Sequence, residues 1–141
     1  MINMVKYLMN LGKLSRREIE EASTVKERIV KYFNSLIDTC IVVEGQSDLE
    51  ELRKLNINIP IYVCNSPNFK SIYNKGSFKR IVILTDWDRK GIVLYKNLKR
   101  RFESLGFVID EYSRELFRNT TKRFGIAVEE ICRNIQRRCY M

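Results

Sequence analysis

The sequence predicts an α/β fold: a four-stranded parallel sheet in the order 2-1-3-4, with helices on both faces. Three observations carry this. Short apolar runs rich in β-branched residues recur at 39 to 43, 61 to 64, 80 to 84 and 107 to 109, the pattern of strands buried on both faces. Segments with apolar residues at helical spacing separate them, so successive strands are joined by right-handed helical crossovers and run parallel. The first and third runs end abruptly in EGQSD (44 to 48) and TDWDRKG (85 to 91), as strands do where their carboxyl ends open into functional loops. For Glu44 and the aspartates Asp86 and Asp88 to share one site, those two strands must be neighbours, which gives the order 2-1-3-4.

Each element has its own local signal. Ser15-Arg16-Arg17-Glu18 and Thr24-Val25-Lys26-Glu27 both fit the capping box, in which the hydroxyl accepts a backbone N–H and the glutamate reaches back. They predict two short helices, or one interrupted helix, over 15 to 37, with Ile29, Phe33 and Leu36 as its apolar stripe. The first strand follows. Ser47 is placed to cap a helix carrying Leu49, Leu52 and Leu55, and Pro60 opens the second strand. Ser66-Pro67 predicts another helix, with proline at its first position and Gly76 just past its end. After the third strand, Ile92, Tyr95, Leu98, Phe102 and Leu105 repeat at helical spacing, with Lys96, Lys99 and Arg100 on the other face. Gly106 ends that helix, and 107 to 109 is a short fourth strand. Residues 112 to 124 read as helical, and Val128, Ile131, Cys132 and Ile135 mark an amphipathic last helix. With no repeat, low-complexity tract or dividing linker, 1–141 reads as one domain: a helical extension over 1–37, a core over 38–111 and C-terminal helices over 112–141.

Composition narrows the chemistry. The 141 residues are enough to bury a core without disulfides or a structural metal. Twenty-six Lys and Arg against 17 Asp and Glu give a net charge of +9, which favours a polyanionic partner, nucleic acid ahead of an anionic membrane face. The absence of histidine excludes histidine triads, histidine zinc sites and imidazole bases. Acid–base work therefore falls to carboxylates, Lys, Tyr or Cys. Cys40, Cys64, Cys132 and Cys139 lack C-x-x-C spacing and read as buried free thiols, a disulfide staying open for a hyperthermophilic source. The opening MINMVKYLMNLGKL is interrupted by Lys6, Asn10 and Lys13, too polar for a signal-peptide core and too short for a membrane span. The chain reads as cytoplasmic, with no membrane partner.

Asp86 and Asp88 are one residue apart, so in an extended segment both side chains point the same way, and a turn there aims both at one hard cation. Mg²⁺, with Mn²⁺ as substitute, suits such a site: two carboxylates, several waters and the phosphate oxygens of a substrate. Gly91 lets the chain leave the turn close to a ligand. The bland alternative is a capping pair, Asp88 starting the helix and Asp86 merely solvated. Glu44, directly after an apolar strand and before Gly45, has neither a core role nor a helix to cap. Asp48 reads as a cap or as a supporting hydrogen-bond partner.

An apolar strand ending in E-G-x-x-D, followed one β-α-β-α-β unit later by a strand ending in D-x-D-x-x-G, resembles the Toprim domain of topoisomerases, bacterial-type primases, recombination-repair proteins, a ribosomal RNA maturation nuclease and small archaeal stand-alone proteins. The likeness covers about 39 to 110 and implies a Rossmann-like Toprim fold. It implies that Glu44 is the acid/base glutamate and also meets the metal, and that Asp86 and Asp88 bind Mg²⁺. Gly45 and Gly91 match the family's glycines, and Arg89 its basic residue after the second aspartate. One departure weakens two-metal binding by this loop: Arg89 and Lys90 stand where a third acidic residue would follow. Trp87 replaces a small residue or proline, placed either to stack on a base or to pack on the sheet. The chain has no room for a topoisomerase's tyrosine domain or a primase's zinc and helicase-binding modules, so the resemblance implies a stand-alone Toprim protein.

Lys90, Lys96, Lys99, Arg100 and Arg101 follow the acidic loop within three helical turns and are placed to hold phosphates leading into it. Arg114, Arg118 and the later basic residues read as a solvated helix face. The expectation is a Mg²⁺-dependent nuclease of the Toprim type on nucleic acid, RNA slightly ahead of DNA. The alternative is a non-catalytic binding or scaffold module, docked to a protein partner or to a second copy through the terminal helices.

Overall fold

The computed structural model describes residues 15–74, 76 and 78–140. Its elements are α1 (Arg16–Asn34), β1 (Thr39–Val43), α2 (Gln46–Lys54), β2 (Ile61–Val63), α3 (Ser71–Asn74), β3 (Arg80–Leu84), α4 (Arg89–Ser104), β4 (Val108–Ile109), α5 (Glu111–Thr121), a 3₁₀ turn at Lys122–Phe124 and α6 (Val128–Tyr140). The four strands form one all-parallel sheet in the order β2-β1-β3-β4, the order expected from the acidic strand ends.

Side-chain alternation along the two central strands feeds two cores. Ile41, Val43, Val82 and Leu84 face α1, α2, α5 and α6, where Ile29, Phe33, Leu52, Phe117, Ile131 and Ile135 are buried with them. Cys40, Val42, Ile81 and Ile83 point the other way, onto Ile72 of α3 and onto Leu98 and Phe102 of α4. Burial on both faces explains why β1 and β3 lack polar alternation. The terminal helices α1, α5 and α6 use their apolar faces in the first core; each fully buried large aliphatic or aromatic side chain there contributes about 1.5–3 kcal/mol.

Several local expectations change. Ser15 and Glu18 form the capping box, but Thr24 lies inside α1 and its hydroxyl donates to the Glu20 carbonyl. That back-bond lets one helix run through the second capping signal. The helix expected from Ser66 is reduced to α3, because Ser66 and Asn68 carbonyls close tight turns instead. In α4 burial falls on Gly91, Leu98 and Phe102, while Ile92 and Leu105, the residue that caps the helix, are 40% and 56% exposed. All four cysteines are free thiols. The opening segment read above as too polar for a signal peptide lies outside the described residues, and among the described residues no helix is long and apolar enough to cross a membrane.

Candidate acidic site

Because Val43 pairs with Leu84, the residues that follow β1 and β3 emerge side by side at the carboxyl edge of the sheet. Glu44 Oε2 accepts the backbone N–H of Asp86 at 2.8 Å, closing the gap between the two strand ends. The chain then turns into α4, where Asp88 caps the helix by accepting the Gly91 N–H at 2.7 Å. The Thr85 hydroxyl donates to the Gly91 carbonyl at 2.7 Å. A Cβ on Gly91 would lie 2.1 Å from the Asp86 carbonyl oxygen, so glycine is required there by the protein's own backbone, where the sequence pointed to a ligand.

Asp86 is more than solvated. Its Oδ1 accepts the N–H of Val128, at the start of α6, at 2.8 Å, and the N–H of Trp87 donates to the Ile126 carbonyl at 2.8 Å. The start of α6 and the acidic loop therefore hold each other by two hydrogen bonds, one to the Asp86 side chain and one between backbones. Asp48, at the third position of α2, turns back to accept the Gly45 N–H at 3.0 Å. Burial first, then the charges of Glu44, Asp88 and Glu129, raise the Asp86 carboxyl above its ordinary pKa, against the Val128 N–H that lowers it. Burial first, then the charges of Asp86 and Glu44, push Asp48 up to about 6, with the Gly45 and Glu129 backbone N–H groups pulling the other way.

Glu129, in the first turn of α6 and paired with Arg133, adds a further, weaker negative charge to the surroundings of Asp86. In sequence it looks like an ordinary acidic residue in a helix's first turn, and only the packing of α6 against the loop brings it in.

Arg114, read in sequence as part of a solvated face, is buried. β4 pairs with β3 only at Arg80 and Ile81, which leaves the rest of that edge of β3 without a neighbouring strand. Arg114 fills the place, donating to the Ile83 and Thr85 carbonyls at 3.1 and 2.8 Å. Its guanidinium lies 4.6 Å from the Trp87 ring centre and 4.4 Å from that of Tyr95. Trp87 in turn stacks on Phe117, with ring centres 5.7 Å apart and planes 7° from parallel. Of the two sequence readings of Trp87, packing holds. Burial lowers the Arg114 pKa to about 10, against the Tyr95, Asp86 and Glu44 charges that raise it; it remains the cation beneath the acidic loop.

Beside Glu44 runs a groove of about 350 Å³ between α4 and the segment after β2, lined by Cys64, Asn65, Phe69, Lys90, Asn97 and Arg101 among others. Lys90 and Arg101 reach it. Lys96, Lys99 and Arg100 are not among its lining residues, and Lys99 pairs with Glu111 at 3.0 Å. Arg89 is exposed at the first turn of α4. Burial first, then the Glu44 charge, push the Cys64 thiol up to about 11, which disfavours its thiolate.

Among the described residues, no three Asp, Glu or Cys side chains come together as a ready metal cage. The donor set fits a looser mode. One oxygen each of Glu44, Asp86 and Asp88 takes a backbone N–H, and no described residue hydrogen-bonds the other. Mg²⁺ characteristically binds through one or two carboxylates, completing its shell with water and substrate phosphate.

No protein-family model matches the chain. It is 31% identical over 108 residues to a UPF0292 protein of Pyrococcus abyssi, covering 72% of this chain and 82% of that protein. It is 33% identical over 92 residues to a UPF0292 protein of Archaeoglobus fulgidus, covering 64% and 72%. A solved structure of an Aquifex aeolicus protein superposes with a TM-score of 0.58 at 26% identity, covering 77% of this chain and 95% of that one. On these matches, the chain belongs to the UPF0292 family.

Proposed function

We propose that this protein is a Mg²⁺-dependent phosphodiester-processing enzyme of the Toprim type, with a Rossmann-like Toprim core, acting on nucleic acid, RNA ahead of DNA. The observation that supports the reading is Glu44 bonded to the Asp86 backbone, with Asp88 two residues on, at the carboxyl edge of adjacent central strands, where open α/β sheets place their ligands. The net charge of +9 and the lysine and arginine lining the neighbouring groove support a polyanionic substrate.

Asp86 Oδ2 and Asp88 Oδ2 would hold the metal, with Glu44 at its margin. When bound, Mg²⁺ or Mn²⁺ supplies charge stabilisation at a scissile phosphate and lowers the pKa of a water. Glu44, anchored through Oε2 to the Asp86 N–H, keeps Oε1 to take a proton from the attacking water or return one to the leaving oxygen. The Val128 N–H fixes the Asp86 carboxylate, and Gly91 with Thr85 fixes the Asp88 turn. Lys90 and Arg101 orient the substrate backbone by its phosphates.

A second reading, a nucleic-acid-binding or scaffold module without turnover, is favoured by one observation: the acidic side chains already take backbone N–H groups and form no ready cage among the described residues. Incubating the protein with end-labelled structured RNA and single-stranded DNA, in Mg²⁺, Mn²⁺ or EDTA, separates the two. Metal-dependent cleavage supports the enzyme. Binding that persists in EDTA with no cleavage in any metal supports the module.

A further inference from the structure

We propose that the groove beside Glu44 is a track for single-stranded nucleic acid, with Lys90 and Arg101 on separate phosphates of one strand and the Phe69 side of the wall receiving its bases. The proposal rests on the nucleic-acid reading above and adds the form of the substrate: an unpaired segment, not a duplex.

The α4 wall of the groove consists of Lys90, Leu94, Asn97, Leu98 and Arg101, a stripe at helical spacing. Lys90 and Arg101 are eleven residues apart, about 16 Å along the axis. Successive phosphates of one strand lie about 3.4 Å apart along the axis even in a stacked duplex, so cations this far apart bind different phosphates. A strand laid along the α4 wall would meet the two cations in turn.

Between the two cations the wall becomes apolar at Leu94 and Leu98 and, across the groove, at Phe69, half-buried and edge-on to Tyr73. An aromatic face flanked by cations is how sequence-tolerant single-strand sites hold bases. The Asn65 and Asn97 amides border the same space and offer both donors and acceptors to base edges. Arg101 is steadied by the Tyr73 ring, 5.9 Å away. Glu44 is the one carboxylate among the described lining residues, so a strand in the groove passes the acidic site with little repulsion along the rest of its path.

The test is fluorescence anisotropy with a labelled ten-nucleotide single strand, as RNA and as DNA, and with duplexes of the same sequence. EDTA is present throughout, so that cleavage plays no part. Single strands should bind at least tenfold more tightly than duplexes. Lys90→Ala and Arg101→Ala should each weaken binding about fivefold and reduce the salt dependence by roughly one phosphate contact; Lys96→Ala and Arg100→Ala, on the same helix outside the groove, should change it less than twofold. Equal affinity for duplex, or equal losses from the Lys96 and Arg100 variants, would overturn the track. Groove-dependent binding of single strands without metal-dependent cleavage upholds the track and removes the nuclease. Metal-dependent cleavage indifferent to Lys90→Ala and Arg101→Ala upholds the nuclease and removes the track.

Discussion

Glu44 and Asp86, forty-two positions apart in sequence, are joined by a 2.8 Å hydrogen bond from the Asp86 backbone N–H to Glu44 Oε2. The bond exists because β1 and β3 are paired neighbours in the sheet. It uses the backbone of Asp86 and not its side chain, and fixes where the Glu44 carboxylate stands relative to the loop.

Asp86→Asn and Asp88→Asn are expected to separate metal binding from folding. Asparagine caps a helix about as well as aspartate, and in Asp86→Asn the side-chain amide oxygen still accepts the Val128 N–H. Thermal stability in EDTA should therefore change little, while Mn²⁺ affinity by paramagnetic resonance and Mg²⁺-dependent cleavage should each fall at least tenfold. Unchanged Mn²⁺ affinity in both variants would remove them from the metal site.

Asp48 predicts a pH dependence of stability. Its folded pKa, about 6, lies above the ordinary 3.8. Its contribution to stability is therefore fully present below about pH 4 and is lost as the pH rises through 6, a change of about 1–3 kcal/mol. Asp48→Asn removes the titration and keeps an acceptor for Gly45. Urea unfolding in EDTA should show the variant gaining on the wild type as pH rises from 4 to 7; parallel pH profiles would contradict this.

Arg114→Met should destabilise the fold by about 2–4 kcal/mol, because it strips two buried carbonyls of their donor. Arg114→Lys should recover only part of this: both bonds come from the one Nη1, but an ammonium lacks the planar guanidinium that lies against the Trp87 and Tyr95 rings. Denaturant midpoints of the two variants check the order. A Met variant as stable as wild type would mean that the exposed edge of β3 needs no partner.

Gly91→Ala reverses a general rule. Glycine to alanine inside a helix ordinarily stabilises by about 1 kcal/mol, but here the new methyl meets the Asp86 carbonyl. Loss of stability together with weaker Mn²⁺ binding is expected, measured by melting and by resonance on the same sample.

The sheet was legible in sequence because each strand is a local signal and the order followed from asking where Glu44, Asp86 and Asp88 must meet. Asp88 as a cap and Asp48 as a local hydrogen-bond partner were legible for the same reason, since both bonds span three residues. Arg114 and Glu129 were not. Each sits on a helix face that reads as solvated, and each acquires its role only where α5 and α6 pack against strand ends about thirty to forty residues earlier. Trp87 was open between two readings until Phe117 and Arg114 supplied its neighbours. Lys90, Lys96, Lys99, Arg100 and Arg101 of α4 looked like one patch in sequence, but helical geometry sends Lys90 and Arg101 to the groove and Lys99 to Glu111.

The central claim is that Glu44 moves a proton for phosphodiester chemistry at a metal held by Asp86 and Asp88. Single-turnover cleavage of end-labelled RNA by Glu44→Gln, with Mn²⁺ and RNA affinity measured on the same preparation, tests it most directly. The glutamine oxygen still accepts the Asp86 N–H, so both affinities should stay within a few-fold of wild type while the cleavage rate falls about 10²–10⁴-fold. Near-normal cleavage by Glu44→Gln would contradict the role assigned to Glu44.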